Sequence, residues 1–491
     1  MGKKTIAIIV VALLVIAGGG FAAFHFLGST PKNTYLLSEQ ETAKQFSDYY
    51  EKRFENEVAF QEKLKNESYH IKGDVTADVP ESLLSAMDLP KSVVDTTKIV
   101  FDVAHDPKEK KSLVSVAPTI ADNEIGKFQL SADKAYQYIE TPLFKDILKI
   151  KNDKLADVAE EYGLLPDPTL VADNKAELNK SLNLNNTLSK SQVSEEEVSK
   201  LFEKYTKVII DKLEDDNFEK SKEEVSIFGE KQKLEKISMK LSSKDTKSIV
   251  LAVLEEAKSD KDLQSLVEKQ ASVEDFDKEI KKAIEETKSS EVSNFPEIKS
   301  DIYQDKHLIL KRKLSIKHDG QEFVVDGKNL IEDDKLRVDY NVTAGQGTMK
   351  FEGESVEKDG KFKDGYTFDM PSSDIKVAFN NTSKTDGDKR KDKATVKATI
   401  SGVQHEVKLD NELNTDTKNN TQKQKLVLGV DAGEPVNFIL NFETKLKEDV
   451  KFKTEGAKDF TEMSRKEKEK IQDEISDSFE GIIKKVLKST K

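Results

Sequence analysis

The chain contains no cysteine and no tryptophan among its 491 residues. Without cysteine, disulfide bonds, thiol catalysis, cysteine-ligated zinc and the lipid-bearing cysteine of a lipoprotein are all excluded. Most exported animal proteins of this size carry disulfides, so their absence favours an exported bacterial protein. Only six histidines are present, and none has metal-ligand spacing, since His405 lacks the second histidine that a zinc-protease helix needs.

The chain also lacks a surplus of basic residues. Its formal net charge is −13, and the part beyond Lys3 and Lys4, which together contribute +2, carries −15. This acidic balance argues against binding nucleic acid, or an anionic membrane surface, through a general basic field. We therefore expect no nucleic-acid partner. Charged residues make up 35% of the chain, which is typical of a strongly solvated protein, and the length favours two lobes over a single core.

One uncharged, largely apolar run covers residues 5–28. As a helix rising about 1.5 Å per residue it would span roughly 36 Å, enough to cross a hydrocarbon core of about 30 Å. Two lysines precede the run, which predicts a cytoplasmic tip at residues 1–4 and a transmembrane anchor at residues 5–28. The alternative is a signal peptide cleaved near Gly18, which would leave an apolar N-terminus in water. The expected localisation is a single-pass protein of the cell membrane, with its N-terminus cytoplasmic and its C-terminal domain extracellular.

Periodicity predicts the organisation of the remaining chain. After a linker at residues 29–35, an N-terminal lobe covers residues 36–217 and begins with a helix from Ser38 to about Leu64. A C-terminal lobe covers residues 218–491 and begins with a hairpin and helices. The expected fold class is α+β: an N-terminal transmembrane helix, then an ectodomain of antiparallel β-meander sheets covered by helices, in two lobes.

The strongest pattern lies at about residues 301–446, where apolar residues alternate strictly with Lys, Asp, Glu, Asn and Thr. Alternation over some ten strands, joined by Asp-Gly and Asn-Asn turns, predicts an antiparallel meander with one apolar face and one solvent-exposed polar face. A closing helix is predicted at about residues 464–488, capped by Ser464 and Glu467. Helices laid over the apolar face could enclose an apolar or lipid-like ligand. The candidate residues for such a ligand-binding face are Leu308, Leu310, Val338, Phe351, Phe368, Phe379, Phe438, Phe442 and Phe479.

Catalytic and cofactor motifs are incomplete. Gly353-Glu354-Ser355 lacks the second glycine of a nucleophile elbow, because Glu357 occupies that position. Acidic clusters such as Asp333-Asp334 lack the ligand pattern of a calcium-binding loop. The sequence therefore predicts no catalytic, cofactor-binding or metal-binding residues, and no cofactor. With 92 acidic residues, many carboxylate pairs will be close in space, so a hydrolase using two carboxylates stays possible without being indicated.

The lysine-flanked apolar run, the cysteine-free Lys/Glu/Asp-rich remainder and the strand–LSxxD–helix unit at Leu241–Asp245 resemble a known type of protein. They are similar to uncharacterised membrane-anchored exported proteins of Bacillus-like Gram-positive bacteria. This resemblance implies an envelope location but no function. More distantly, helices over a curved antiparallel sheet are similar in plan to lipoprotein-carrier folds, which receive acyl chains between sheet and helices. No motif matches, so no residue is carried over from that comparison.

Three functional hypotheses follow. The first is a non-catalytic, membrane-anchored extracytoplasmic envelope protein that binds a ligand or an envelope protein. The second is a carrier or sensor that holds an apolar or lipid-like molecule between the meander and its covering helices. The third is a hydrolase of the cell wall that uses paired carboxylates. The first two differ in whether the interface between sheet and helix is filled or hollow.

Overall fold

The computed structural model describes residues 28–86, 88–163, 175–190, 195–270, 276–345, 347–431 and 433–489. The helices within these residues are α1 Pro31–Arg53, α2 Glu55–Asn66, α3 Glu81–Ala86, α4 Lys91–Asp95, α5 Leu155–Glu161, α6 Lys175–Leu182, α7 Leu184–Lys190, α8 Glu195–Ile210, α9 Ser243–Ser259, α10 Lys261–Gln270, α11 Phe276–Ser289 and α12 Arg465–Ser489. The strands are β1 Tyr69–Asp78, β2 Lys98–Asp106, β3 Lys111–Ile120, β4 Asn123–Glu124, β5 Phe128–Ala132, β6 Tyr136–Glu140, β7 Leu148–Lys151, β8 Phe218–Ile227, β9 Glu230–Leu241, β10 Glu297–Asp305, β11 Leu308–His318, β12 Gln321–Glu332, β13 Lys335–Ala344, β14 Gly347–Lys358, β15 Lys361–Met370, β16 Ile375–Asp386, β17 Lys389–Ile400, β18 Val403–Asp416, β19 Thr421–Asp431, β20 Pro435–Leu446 and β21 Lys458–Asp459.

The predicted fold class requires correction. The described residues form 21 strands of almost entirely antiparallel sheet, and sheet outweighs helix. Within these residues no helix is both long enough and apolar enough to cross a membrane. The predicted anchor at residues 5–28 lies outside the described residues, apart from Gly28. The predicted α+β class is therefore corrected to a mostly antiparallel β fold, and no helix among the described residues supports the expected single-pass placement in a Gram-positive cell membrane.

The chain divides into two compact units made of interleaved segments. Unit 1 comprises the described residues of Met1–Phe54, Val193–Thr382 and Val396–His405. Unit 2 comprises those of Glu55–Gln192, Ser383–Thr395 and Glu406–Lys491. Neither unit corresponds to a continuous stretch such as 36–217 or 218–491.

Unit 1 is built on a run of antiparallel neighbours from β8 to β15, each strand pairing with the next. Helix α1 packs on β9 and β11 through Tyr35 and Leu36, both 1% exposed. These two residues belong to a core cluster of buried side chains: Tyr35, Leu36, Ile209, Leu213, Phe218, Ile237, Met239, Leu241, Ile249, Ile298, Ile302 and Ile309. Burial of such apolar side chains supplies the main driving force for folding of this unit.

Unit 2 contains a second antiparallel series, in which β19 pairs with β20, β20 with β1, β1 with β2 and β2 with β3. Helix α2 covers one face of this sheet, where Phe60 packs against Tyr69 and Leu446. Because cross-strand partners point to the same face, alternation places Gly73 on the α2 face and Lys72 on the opposite face.

Several local predictions are confirmed, and one helix start is wrong. The meander appears as β10 to β20, and the closing helix as α12, with the Ser464 backbone N–H donating to Glu467 Oε2 at 2.8 Å. The first helix does not begin at Ser38. Thr30 caps α1, accepting from the Asn33 backbone N–H at 3.2 Å, and Pro31 fills the first helical position, where its missing N–H costs nothing.

Candidate functional site

Part of the predicted apolar face exists within unit 1. Phe351 lies directly opposite Phe368, and its ring stacks on Tyr366 with centroids 5.8 Å apart. Val338 is 8% exposed, whereas Phe351 is 42% exposed. Alternation puts Phe379 on this same face, because Asn381 two residues later donates to Asp364 Oδ2 at 2.8 Å. The structure therefore brings Val338, Phe351, Phe368 and Phe379 to one face of the sheet, where Phe351 stays partly exposed to solvent.

Leu308 and Leu310 do not belong to that face. The register of β10 against β11 shifts between Tyr303 and Gln304, so β11 carries one extra residue at Leu310. A bulge of this kind reverses the alternation on either side of it. Ile309 consequently enters the unit 1 core with 0% exposure, while Leu310 packs with Ile227, Leu234 and Tyr303 in a separate cluster. Leu308 is half-buried.

The last three predicted residues lie in unit 2. Phe442 is opposite Gly73, and Phe438 is opposite Ala77, so both share the face that α2 covers. Phe438 is 39% exposed, and Phe479 on α12 is 57% exposed. The nine candidates are therefore distributed over different faces and both units. They do not form a single ligand-binding surface within either unit.

The interface between α1 and the unit 1 sheet is filled by a buried polar network. Arg312 Nη2 donates to Glu39 Oε2 at 2.7 Å, and the Tyr35 hydroxyl donates to Ser300 Oγ at 2.7 Å. Thr42 Oγ1 accepts from the Ile309 backbone N–H at 2.8 Å. Burial raises the pKa of Glu39, and the Arg312 guanidinium opposes that rise. Hydrogen-bonded side chains occupy the space between α1 and the sheet along these contacts.

A second buried cluster joins the C-terminal end of α1 to β14 and β15. Arg53 makes a bidentate pair with Asp364, with N···O distances of 2.9 and 2.6 Å, and Ser355 Oγ donates to Asp364 at 2.5 Å. Burial would raise the pKa of Asp364, but hydrogen bonds from Arg53, Ser355 and Asn381 outweigh it and hold that pKa below its usual value. Ser355 is thus occupied as a hydrogen-bonding partner within the fold.

A histidine is buried in unit 2 by a defined hydrogen-bond chain. Ser112 Oγ donates to Asn185 Oδ1 at 2.5 Å, so Ser112 accepts from His105 Nδ1, 2.8 Å away. His105 Nε2 then accepts from exposed Ser189 at 3.1 Å. Burial lowers the pKa of His105, which keeps the ring neutral at pH 7. This chain attaches α7, which carries Asn185 and Ser189 one turn apart, to β2 and β3.

An open groove of about 840 Å³ lies within unit 2. The side chains of two cross-strand rows, together with Lys98 from the next row, line it on the sheet face opposite α2. These residues are Lys72, Asp74, Lys98, Val100, Asp102, Lys389, Lys391, Glu412, Asn414, Lys423, Lys425, Asn441 and Glu443. Six lysines therefore face four carboxylates, an excess of positive charge on a chain with a net charge of −13.

Ion pairs use only half of these lysines. Lys391 pairs with Glu412 at 2.7 Å, Lys423 with Glu443 at 3.4 Å and Lys98 with Asp74 at 3.4 Å. The fourth carboxylate, Asp102, pairs with His70. The hydrogen bond from Lys391 lowers the pKa of Glu412, with a further contribution from the nearby Lys425 charge.

Three groove lysines remain unpaired. Lys72, Lys389 and Lys425 are exposed and make no ion pair within the described part of the chain. Sequence reasoning placed these lysines on the wet face of strands but gave them no role. Only the pairing of β1 with β20, about which the sequence is silent, reveals that they share a groove.

No cluster of three or more His, Asp or Glu side chains with the geometry to hold a metal ion occurs within residues 28–489 as far as they are described. Three of the groove carboxylates pair with lysines, and the fourth, Asp102, contacts His70, so they are poorly placed to hold a metal ion. The groove instead presents cations, and its chemistry suits an anion.

The chain matches no protein-family model, and no curated protein matches it. Among solved structures it aligns with OmpTdeltaL8, a loop L8 deletion mutant of OmpT, an outer membrane protein of Vibrio cholerae. The alignment covers 77% of this chain and 98% of that chain, with 5% sequence identity and a TM-score of 0.17. A TM-score this low carries no argument about fold, location or activity.

Proposed function

We propose that this protein is a non-catalytic binding protein whose unit 2 groove takes an anionic ligand. One observation carries the proposal: Lys72, Lys389 and Lys425 are unpaired in a groove where the other three lysines already have carboxylate partners. Six lysines against four carboxylates, on an otherwise acidic chain, concentrate positive potential at one place.

The filled α1 interface favours this proposal over a carrier that holds an acyl chain between sheet and helix. There, the Glu39–Arg312 pair and the Tyr35–Ser300 hydrogen bond occupy the space that such a ligand would need. The partly open rows around Phe351 in unit 1 support a second candidate function, the docking of an apolar surface of another protein.

Calorimetric titration of the full chain with tripolyphosphate at low ionic strength tests the groove. The variant to compare is the groove triple, Lys72→Gln/Lys389→Gln/Lys425→Gln. The matched control, Lys134→Gln/Lys212→Gln/Lys376→Gln, removes the same charge from exposed lysines outside the groove that make no ion pair.

Exposed ion pairs contribute about 0.2–1 kcal/mol each, so losing three of them should weaken binding by about 2 kcal/mol, or roughly thirtyfold. The control triple should bind within about twofold of the natural chain. Equal weakening in the two triples would contradict the proposal, because it would show a response to net charge alone.

A further inference from the structure

The groove lysines follow a regular spacing across the strands. Lys72 on β1 lies opposite Glu443 on β20, and Glu443 lies opposite Lys423 on β19. Lys423 in turn lies opposite Asn414 on β18. Neighbouring strands are about 4.8 Å apart, so Lys72 and Lys423, which are two strands apart, are separated by about 10 Å along this row.

Strand β17 extends the row by one more lysine. The Thr415 backbone N–H donates to the Asp388 carbonyl at 2.8 Å, which places Lys389 beside Asn414. The row therefore carries a lysine on β17, β19 and β1, that is, on every second strand. Four strand spacings give it a length of about 19 Å.

A parallel row lies two residues further along the strands. Lys425 is opposite both Asn441 and Glu412, and Lys391 pairs with Glu412. Two residues of extended strand span about 6.6 Å, so the second row is about 6.6 Å from the first. It repeats the same spacing, with lysines on β17 and β19.

This arrangement disfavours a compact anion at any single lysine. Lys72 has Glu443 on one side and Asp102 on the other in its own row, and both carboxylates would repel an anion held there alone. A ligand that reaches several lysines adds their attractions together, and summed weak contacts give affinity that rises with length.

From this spacing we infer that the ligand is a linear polyanion with repeated phosphate groups, which crosses the strands along the lysine rows. This inference deepens the proposed function of the groove and rests on it. The lysine ammonium group binds phosphate as a point charge and does not require two hydrogen bonds in a fixed geometry. It can therefore bind successive phosphates of a repeating chain.

The groove lacks the stacking surface that a single-stranded nucleic acid would use. Phe101 and Phe442 also border the groove, but strand alternation directs their side chains to the opposite face of the sheet, where the two ring centroids lie 5.4 Å apart. The side chains of the two lysine rows are charged or amide groups, apart from Val100. Bases gain most of their sequence-tolerant affinity by stacking on aromatic rings, so a polymer without bases fits this face better.

A chain-length series tests the inference on the full chain. The probes are tripolyphosphate, medium-chain polyphosphate long enough to span five strands, and oligothymidylate of the same charge as the medium chain. The affinity of the medium chain should exceed that of tripolyphosphate by about tenfold or more at equal phosphate concentration. Oligothymidylate should bind more weakly than the medium chain.

Lys72 and Lys389, the lysines at the two ends of the first row, provide the variant that tests the effect of chain length. Lys72→Gln/Lys389→Gln should remove most of the advantage of the longer chain, because it shortens the row, while Lys134→Gln/Lys376→Gln should leave that advantage unchanged. Rescue by Lys72→Arg/Lys389→Arg would exclude a folding defect as the cause.

The possible outcomes distinguish failure of the polyanion inference from failure of the proposed function. If tripolyphosphate binds in a groove-dependent way but length gives no advantage, the polyanion inference fails and the proposed function stands. If oligothymidylate binds as tightly as the medium chain, the ligand class is wrong. If the groove triple changes the binding of none of the probes, the proposed function itself fails.

Discussion

The two units use charge in opposite ways. In unit 1, Arg312 and Arg53 pair with the buried carboxylates of Glu39 and Asp364 where helix α1 meets the sheet, and the arginine side chains are no more than 16% exposed. In unit 2, the lysines of the groove are exposed, and Lys72 is one of three that have no ion-pair partner among the residues that the structure describes. A buried charge needs a partner to offset its desolvation, whereas an exposed charge does not. Buried pairs therefore report on folding, and exposed unpaired lysines are available to a ligand.

The largest effect should come from breaking a buried pair. Arg312→Ala would leave the Glu39 carboxylate buried without its cation, at a cost of about 3–5 kcal/mol in the free energy of unfolding. Lys313→Ala on the same strand is exposed and should change that free energy by less than about 0.5 kcal/mol. Urea denaturation measures both. A loss below about 1 kcal/mol for Arg312→Ala would mean that the pair is not buried as described.

The bulge in β11 can be tested in a similar way. Ile309→Ala removes a side chain that is 0% exposed and should cost about 2–5 kcal/mol, because it leaves a cavity in the unit 1 core. Leu308→Ala should cost clearly less, since Leu308 is only half-buried. If Leu308→Ala lowered the free energy of unfolding more than Ile309→Ala, the bulge would be absent and the alternation of β11 uninterrupted, as the sequence suggests.

In unit 2, the sheet face behind the groove depends on a glycine. A Cβ at Gly73 would lie 2.4 Å from Phe101 Cζ and 2.5 Å from the Asn441 carbonyl oxygen, so Gly73→Ala should cost about 1–3 kcal/mol through overpacking. Gly365→Ala is the control, because its Cβ would come no closer than 3.6 Å to another atom. Thermal unfolding of the two variants should differ, and equal midpoints would rule out close packing at Gly73.

Asp364 should contribute to the loss of stability in acid, because its pKa is lowered in the folded state. Its carboxylate therefore stabilises the fold above the unfolded pKa of about 4, and this contribution is lost as the pH falls through the folded value. The difference in unfolding free energy between the natural chain and Asp364→Asn, about 1.4 kcal/mol per unit of pKa shift, should therefore shrink below pH 4. A difference that is constant from pH 7 to pH 3 would show that the pKa is not lowered.

The smallest effect on stability is expected from the groove. Replacing Lys72, Lys389 and Lys425 together by Gln should shift the free energy of unfolding by no more than about 0.5 kcal/mol per site, because none of the three has a partner to lose. Denaturation of this triple beside Lys134→Gln/Lys212→Gln/Lys376→Gln provides the comparison. A large loss confined to the groove triple would identify these lysines as structural.

Patterns that depend on near neighbours in the chain were predicted well. The alternation of β13 and β14, the cap at Ser464 and Glu467, and the change from strand to helix at Leu241–Asp245 all follow from residues a few positions apart. Residues 127–148 also run through a strand, Leu-Ser and a polar turn, a pattern that predicts a helix next, but strand β6 occupies that position. Pairing with the neighbouring strands β5 and β7 stabilises this segment as a strand rather than a helix.

The candidate site depends on pairing between distant segments. The apolar face was only partly predictable, because one extra residue at Leu310 reverses the alternation and the sequence gives no sign of it. The groove was not predictable, because Lys72 and Glu443 are brought together by pairing across most of the chain. Lysines on the solvent-exposed face of a strand cannot be told apart from the sequence. Only the register of strand pairing shows which of them lie close enough to a carboxylate to form an ion pair.

The most direct test is lysine acetylation footprinting of the full chain, read by mass spectrometry, with and without medium-chain polyphosphate. We predict that polyphosphate protects Lys72, Lys389 and Lys425 while the modification of Lys134, Lys212 and Lys376 stays the same. Protection spread equally over the two sets, or confined to lysines outside the groove, would contradict the account.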